Sequence, residues 1–370
     1  MAPSFEIPTP VIPIVEDKIT LKSLERTPLK PTGVLDAFES FDVTPVIGRE
    51  FPNASLKDFL SAANSDDLLR ELALTISQRG VVFFRKQGGL DNLQKELIQR
   101  LGELSGKPET SGLHVHPVVN SGRENGVTDD EISVVSSQQR QLLFPDRNSR
   151  GQTARHEWHS DIAFEAILSD YTLLRLTELP KTGAASKNPR FQSLYSSLTD
   201  WLDTLWASGY EKFLERLTAT YAGPNFNDVF KKNGFEVHPG PRGAPENVGE
   251  ELSAEHPVIR TNLVTGWKSV FAVRNLAQKI NGVTDEESAH LLNWFLSLVI
   301  ENHDLQVRLR WQNPNDLAIW DNRSVFHATT SDHEGFDPRT GHRAVGLGKR
   351  PRCLPLNSYL DRTRSILLRI

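Results

Sequence analysis

A single cysteine, Cys353, leaves this chain without an internal disulfide framework, which suits a reducing cytosol. Long apolar runs are missing too: nothing approaches the roughly 18 consecutive apolar residues of a membrane-spanning helix. The first residues, Met1-Ala2-Pro3-Ser4, lack the charged-then-apolar layout of a signal peptide. No Gly-rich phosphate loop follows an early strand, which disfavours a doubly wound nucleotide-binding sheet. Excess positive charge is also absent: 42 basic residues face 47 acidic ones, and the net charge of −5 argues against nucleic acid or an anionic membrane as partner. What remains is a soluble globule, expected in the cytoplasm, with a small-molecule ligand and the possibility of a homo-oligomer. Its 370 residues can bury a substantial core as one large domain or two.

The most informative stretch is Trp158-His159-Ser160-Asp161, set beside Trp320-Asp321-Asn322-Arg323 and His327. A His-x-Asp pair in an extended strand points both side chains to one face, because side chains alternate with period two. A third ligand, His327, lies 166 residues beyond Asp161 (327 minus 161), the spacing of a site assembled across a folded sheet. Two imidazoles and one carboxylate form the facial set of non-haem Fe(II) oxygenases, which leaves the other coordination positions open. A His-x-Asp pair alone would mean little, since it is common by chance. A zinc protease is a poor alternative, because its helix needs histidines at i and i+4 and His156 and His159 stand at i and i+3.

Arg339 and Arg343 follow the distant histidine at even spacing, Arg343 within His342-Arg343-Ala344-Val345-Gly346-Leu347-Gly348. On a strand they would share one face. Guanidinium groups bind carboxylates through paired, charge-assisted hydrogen bonds, so two arginines beside a metal suit a dicarboxylate ligand; the plainer reading is a solvated basic strand.

Residues 1–40 hold Pro3, Pro8, Pro10, Pro13, Pro28 and Pro31 without periodicity and read as a mobile or surface-wrapping arm. Ser65 is placed as the cap of a helix through Leu68, Leu69, Leu72, Ala73 and Ile76, stopped by Gly80. A β-rich run Val81–Phe84 follows, then a helix around Leu93, Leu97, Ile98 and Leu101. Strands are expected over Tyr171–Leu176, Leu305–Trp311 and Leu317–Trp320, and Thr284 with Glu287 makes a capping box opening a helix to about Ile300. The pattern suits a mainly β fold with flanking helices (α+β).

Six blocks occur in an order that resembles the Fe(II)/2-oxoglutarate-dependent dioxygenases of the taurine dioxygenase family, in particular their fungal branch. They are Gly80–Arg85, Leu113–Pro117, Trp158–Asp161, Asp203–Gly209, Trp320–Arg323 and His342–Ala344. The resemblance spans about Phe41 to Pro351 and implies a double-stranded β-helix, or jelly roll, over a single domain at 41–352, with a C-terminal extension at 353–370. It implies Fe(II) held by His159, Asp161 and His327, with 2-oxoglutarate and O2 as co-substrates. Thr204 and Arg339 match the pair that holds the distal carboxylate of 2-oxoglutarate; His116 and Arg343 match the positions that grip a sulfonate. Oxidative decarboxylation to succinate and CO2 would accompany substrate hydroxylation, and an aliphatic sulfonate would then release sulfite and an aldehyde. Arg155 stands where the namesake enzyme has a substrate-holding asparagine. That change leaves a carboxylate, purine-like or secondary-metabolite substrate open beside the sulfonate.

One region departs from the family. Its usual Gly-Gly-Asp-Thr is split here, with residues 184–202 between Gly183 and Asp203-Thr204. The stretch has no clear apolar period and is expected to loop out over the surface, loosening Thr204. A true insertion, a gene-model artefact and a catalytically impaired relative all fit.

Overall fold

The computed structural model describes residues 27–117, 129–138, 155–179, 192–197, 208–223, 232, 237–238, 240–329 and 338–353. Along the chain run β1 (Phe41–Asp42), β2 (Arg49–Phe51), α1 (Leu56–Ser61), α2 (Ser65–Arg79), β3 (Val81–Phe84), α3 (Gln94–Leu104), β4 (Ile132–Ser136), β5 (Ser169–Glu178) and β6 (Gln192–Ser197). Then follow α4 (Ser208–Leu214), β7 (Thr218–Ala222), β8 (Ser253–Pro257), β9 (Ile259–Thr261), β10 (Lys268–Val270) and β11 (Ala277–Asn281). The last elements are α5 (Asp285–Glu301), β12 (Gln306–Arg310), β13 (Asp316–Asp321), β14 (Val325–Thr329) and β15 (Thr340–Leu347).

The large sheet has the order β1-β2-β3-β13-β5-β15-β4, antiparallel apart from the β2–β3 pair. All six residues of β13 are buried, because both faces of this sheet are covered. On one face Leu317 and Ile319 join Val82, Phe84, Tyr171 and Leu173 in a core with α1, α2 and α3. On the other, Ala318 and Trp320 pack with Val81, Phe83 and Leu176 against Tyr195, Val307, Leu309 and Val325 of a smaller sheet ordered β12-β6-β14. Each such aliphatic side chain contributes about 1.5–3 kcal/mol on burial. Two packed sheets with helices outside them are what alternating strands and amphipathic helices build.

The remaining strands form β11-β7-β8 and β10-β9, over which α5 lays Leu291, Leu292, Phe295, Leu296 and Val299. The capping box at Thr284 is present: its hydroxyl accepts from Glu287 N, and Glu287 reaches back to Thr284 N. Asn64 rather than Ser65 precedes α2, and Gly80, at φ 72°, ends it where a Cβ would lie 2.8 Å from Val325 Cγ2.

One expectation is narrowed and another changes. Of the proline-rich arm, residues 27–40 wrap the surface: Leu29 N donates to Val264 O, Thr32 to Glu71, and Leu35 is buried in the helical core. Residues 1–26 and 354–370 lie outside the described residues. The stretch 184–202 does not simply loop out, because its residues 192–197 are β6, hydrogen-bonded to β12 on one edge and β14 on the other. Its sequence, one aromatic among serines and a leucine, carries no alternation to detect. Ladder bonds on both edges satisfy the backbone, and buried Tyr195 anchors the strand against Phe83, Trp320 and His327.

Candidate metal centre

His159 and His327 meet across an isolated antiparallel bridge in which each N–H donates to the other's carbonyl, at 3.0 and 2.9 Å. Val325 points into the space between the two packed sheets, so two residues along β14 His327 points the same way. The two imidazoles stand 4.3 Å apart at their centroids. Asp161 is not on a continuous strand with His159, as the sequence suggested. It begins a turn, followed by Ile162 at φ 50°, an outlier for a β-branched residue. The turn nonetheless delivers the carboxylate: one ligand atom from each of His159, Asp161 and His327 lies within 4.8 Å of the others.

That turn is tied down on several sides. Asn322 Oδ1 accepts from Asp161 N at 3.2 Å and from Trp320 Nε1 at 3.1 Å, while its Nδ2 donates to Ser169 Oγ and Thr172 Oγ1. His256 Nε2 lies 3.1 Å from the Ala163 carbonyl. Glu165 holds Arg242 through both carboxylate oxygens, at 2.6 and 2.8 Å, and meets His114 Nε2 at 3.0 Å. The Trp320–Arg323 block is therefore scaffolding. Beside Asn322, the buried Asp321 carboxylate takes Arg323, Ser77 and Asn262.

The electrostatics suit a cation. Burial first, then the neighbouring His159, hold His327 down to about 3, so it stays a neutral donor. Burial would raise Asp161, but Arg343, His327 and His159 outweigh it and bring the carboxyl down to about 2. His159 Nδ1 sits 2.8 Å from the Glu157 carbonyl, which fixes that nitrogen as the donor and leaves Nε2 for a metal. Asp161 Oδ2, fully buried, has no hydrogen-bond partner among the described residues. A neutral His327 imidazole, a second imidazole from His159, and an ionised carboxylate with an unpartnered oxygen fit a divalent metal of the iron type.

Of the other expected residues, one touches this centre directly. Arg343 Nη1 donates to Asp161 Oδ1 at 2.8 Å. His116 is held well below its usual range by burial and next by the charge of Arg343. Arg339 is buried just before β15, its N–H donating to Ser137 Oγ. Arg155 turns to α5, where Nη2 donates to Ser297 Oγ at 3.1 Å. Thr204 lies outside the described residues. Sequence reasoning missed Glu165, Arg242 and His256, for which no spacing signal exists; His114 and Asn322 were visible only as parts of blocks, without a role.

Two expected results follow from these ties. Asn322→Ala removes the acceptor of Asp161 N and should weaken divalent-metal binding by roughly 10–100-fold, the usual cost of an outer-shell partner, as read by Mn(II) titration. Burial, then Arg260, hold His256 down to about 3. Its neutral form thus contributes stability that is complete above the unfolded value of about 6.5 and is lost as pH falls towards 3. His256→Gln keeps a donor without that titration, so its denaturation midpoint should fall less steeply than wild type between pH 6.5 and 4.

Residues 39–345 match the family described as taurine catabolism dioxygenase TauD, TfdA family. The chain belongs to this family. Its relatives include the alpha-ketoglutarate-dependent dioxygenase btcD of Neocamarosporium betae, 49% identical over 92% of this chain and 97% of that protein. An alpha-ketoglutarate-dependent sulfonate dioxygenase of Saccharomyces cerevisiae is 28% identical over 84% of this chain and 66% of that one. In fold, the chain is similar to the crystal structure of a putative taurine dioxygenase from Burkholderia xenovorans, with a TM-score of 0.60 and 20% identity over 85% of this chain and 91% of that one. As a member of the family the chain is a 2-oxoglutarate-dependent dioxygenase that uses Fe(II), 2-oxoglutarate and O2 on a small molecule. No helix of the described residues is long and apolar enough to cross a membrane.

Proposed function

We propose that this TauD-family dioxygenase hydroxylates a small anionic organic substrate beside iron held by His159, Asp161 and His327, within a double-stranded β-helix formed by the two packed sheets. The observation that carries the reading is the cluster of two histidines and one carboxylate with a guanidinium against it. In this assignment Arg339, with Thr204, holds the distal carboxylate of 2-oxoglutarate, and Arg343 with His116 takes the substrate anion. Bound iron supplies oxygen activation coupled to 2-oxoglutarate decarboxylation. The chain's own share is to fix the ligands, place the target carbon and keep bulk water from the buried carboxylate.

An aliphatic sulfonate, releasing sulfite and an aldehyde, is the first substrate to test. A second reading keeps the chemistry and changes the substrate to a carboxylate or a secondary metabolite. It is favoured by Arg155, and by the word sulfonate standing in the name of a relative at 28% identity but not in that of one at 49%. Iron-dependent succinate formation on a panel of alkylsulfonates and carboxylates, with sulfite measured alongside, separates the two. Succinate coupled to sulfite supports the sulfonate; succinate only with carboxylates replaces it. No iron-dependent succinate with any member would count against both simple anions and leave a secondary-metabolite substrate or a catalytically silent relative.

A further inference from the structure

Arg343 does more than face outward for a ligand. It stands on β15 with its side chain about one-fifth exposed, and a single one of its donors, Nη1, reaches Asp161 Oδ1 at 2.8 Å. That oxygen is also 3.9 Å from His327 Nε2, so it is turned towards the imidazoles. The guanidinium therefore sits on the Asp161 carboxylate itself, at the oxygen nearer His327, with its positive charge beside the metal-ligand cluster. Arg343 Nε, buried, has no hydrogen-bond partner among the described residues. A guanidinium presents five N–H groups in a fork suited to a two-oxygen partner, and here the described contacts use one.

We propose that Arg343 is shared between Asp161 and the anionic group of the substrate, so that anion binding and metal binding are positively coupled. The idea rests on the anionic-substrate reading above and adds a linkage to it. With no anion, the guanidinium stays on Asp161 and places a positive charge against an incoming cation, which lowers metal affinity. An anion that takes Nε and the second Nη draws the guanidinium off the carboxylate and screens its charge, and Asp161 is released to the metal. Reciprocity follows: the metal tightens the anion by the same factor, and couplings of this kind are typically about 5–150-fold. Substrate would thereby favour loading of the centre that is to act on it, and a site without substrate would hold its metal less firmly.

The test is an equilibrium Mn(II) titration of the full chain by EPR, without 2-oxoglutarate, so that no turnover enters. Ethanesulfonate and propionate serve as anion probes, and circular dichroism confirms that each variant is folded. Arg343→Ala should bind Mn(II) at least about 5-fold more tightly than wild type. Saturating anion should tighten Mn(II) binding to wild type by a similar factor and leave Arg343→Ala unchanged, while Arg343→Lys, which keeps the charge, should stay near wild type. Equal or weaker Mn(II) binding by Arg343→Ala would mean that the arginine only orients Asp161, and would overturn the proposal; so would a wild-type affinity that neither anion moves. Failure of the metal reading itself looks different: Mn(II) binding would then be the same in wild type and His327→Ala.

Discussion

Replacing His159, Asp161 or His327 by alanine is expected to abolish iron-dependent succinate formation, each variant falling to background. An open site with three protein ligands has none to spare, and each substitution should weaken metal binding by more than the roughly 10–100-fold of an outer-shell partner. The folded chain should survive each change, because the ligands contribute little to the sandwich core and His159 and His327 keep their backbone bridge. His342 is the control. It lies one residue from Arg343 on β15 and so faces the opposite side of that strand, where burial and then Arg175 lower its imidazole. His342→Ala should keep near wild-type metal affinity. Loss of metal in His342→Ala with retention in His159→Ala would refute the ligand assignment.

The second large effect concerns β6. Ser193-Leu194-Tyr195-Ser196-Ser197 has a near counterpart eleven positions on (204 minus 193) in Thr204-Leu205-Trp206-Ala207-Ser208. Deleting residues 192–202 brings Thr204 to the position of Ser193 and Trp206 to that of Tyr195, beside His327. The variant should fold, since both pentapeptides place an aromatic ring at the same position, and it should bind Mn(II) like wild type. Its affinity for 2-oxoglutarate should rise by about 10-fold or more, a gain of the size expected for one charge-assisted hydrogen bond. Calorimetric titration of 2-oxoglutarate into the Mn(II) protein reads the change. An unfolded product would show that β6 cannot be replaced, and unchanged affinity in a folded variant that residues 192–202 do not impair co-substrate binding.

How much could be read in advance depended on the kind of signal. Helices α2, α3 and α5 and strands β3, β5, β12 and β13 were legible because one buried face imposes a period on the chain. The three clustered ligands were legible because few chemistries use that set. Their local geometry was not: Asp161 sits in a turn with a left-handed residue after it, and no spacing rule announces Ile162 at φ 50°. The straps on that turn come from residues up to 161 positions away, as Asn322 is from Asp161, and a single sequence carries no trace of which polar side chains will meet. Strand β6 escaped detection because its partners, not its own apolar pattern, make it a strand.

The reciprocal bonds between His159 and His327 have a consequence for how such a site can diversify. Residues that exchange both ladder bonds are held about 5.5 Å apart at Cα by backbone geometry, whatever their side chains are. Two of the three proposed ligands are thus registered by the peptide ladder itself. The groups proposed to meet a substrate, His116 and Arg343, stand on other segments and can be exchanged without moving that pair. A lineage can retune what it oxidises by altering the rim while the inner ligand spacing is inherited unchanged, so relatives of quite different substrate preference can share one unaltered heart.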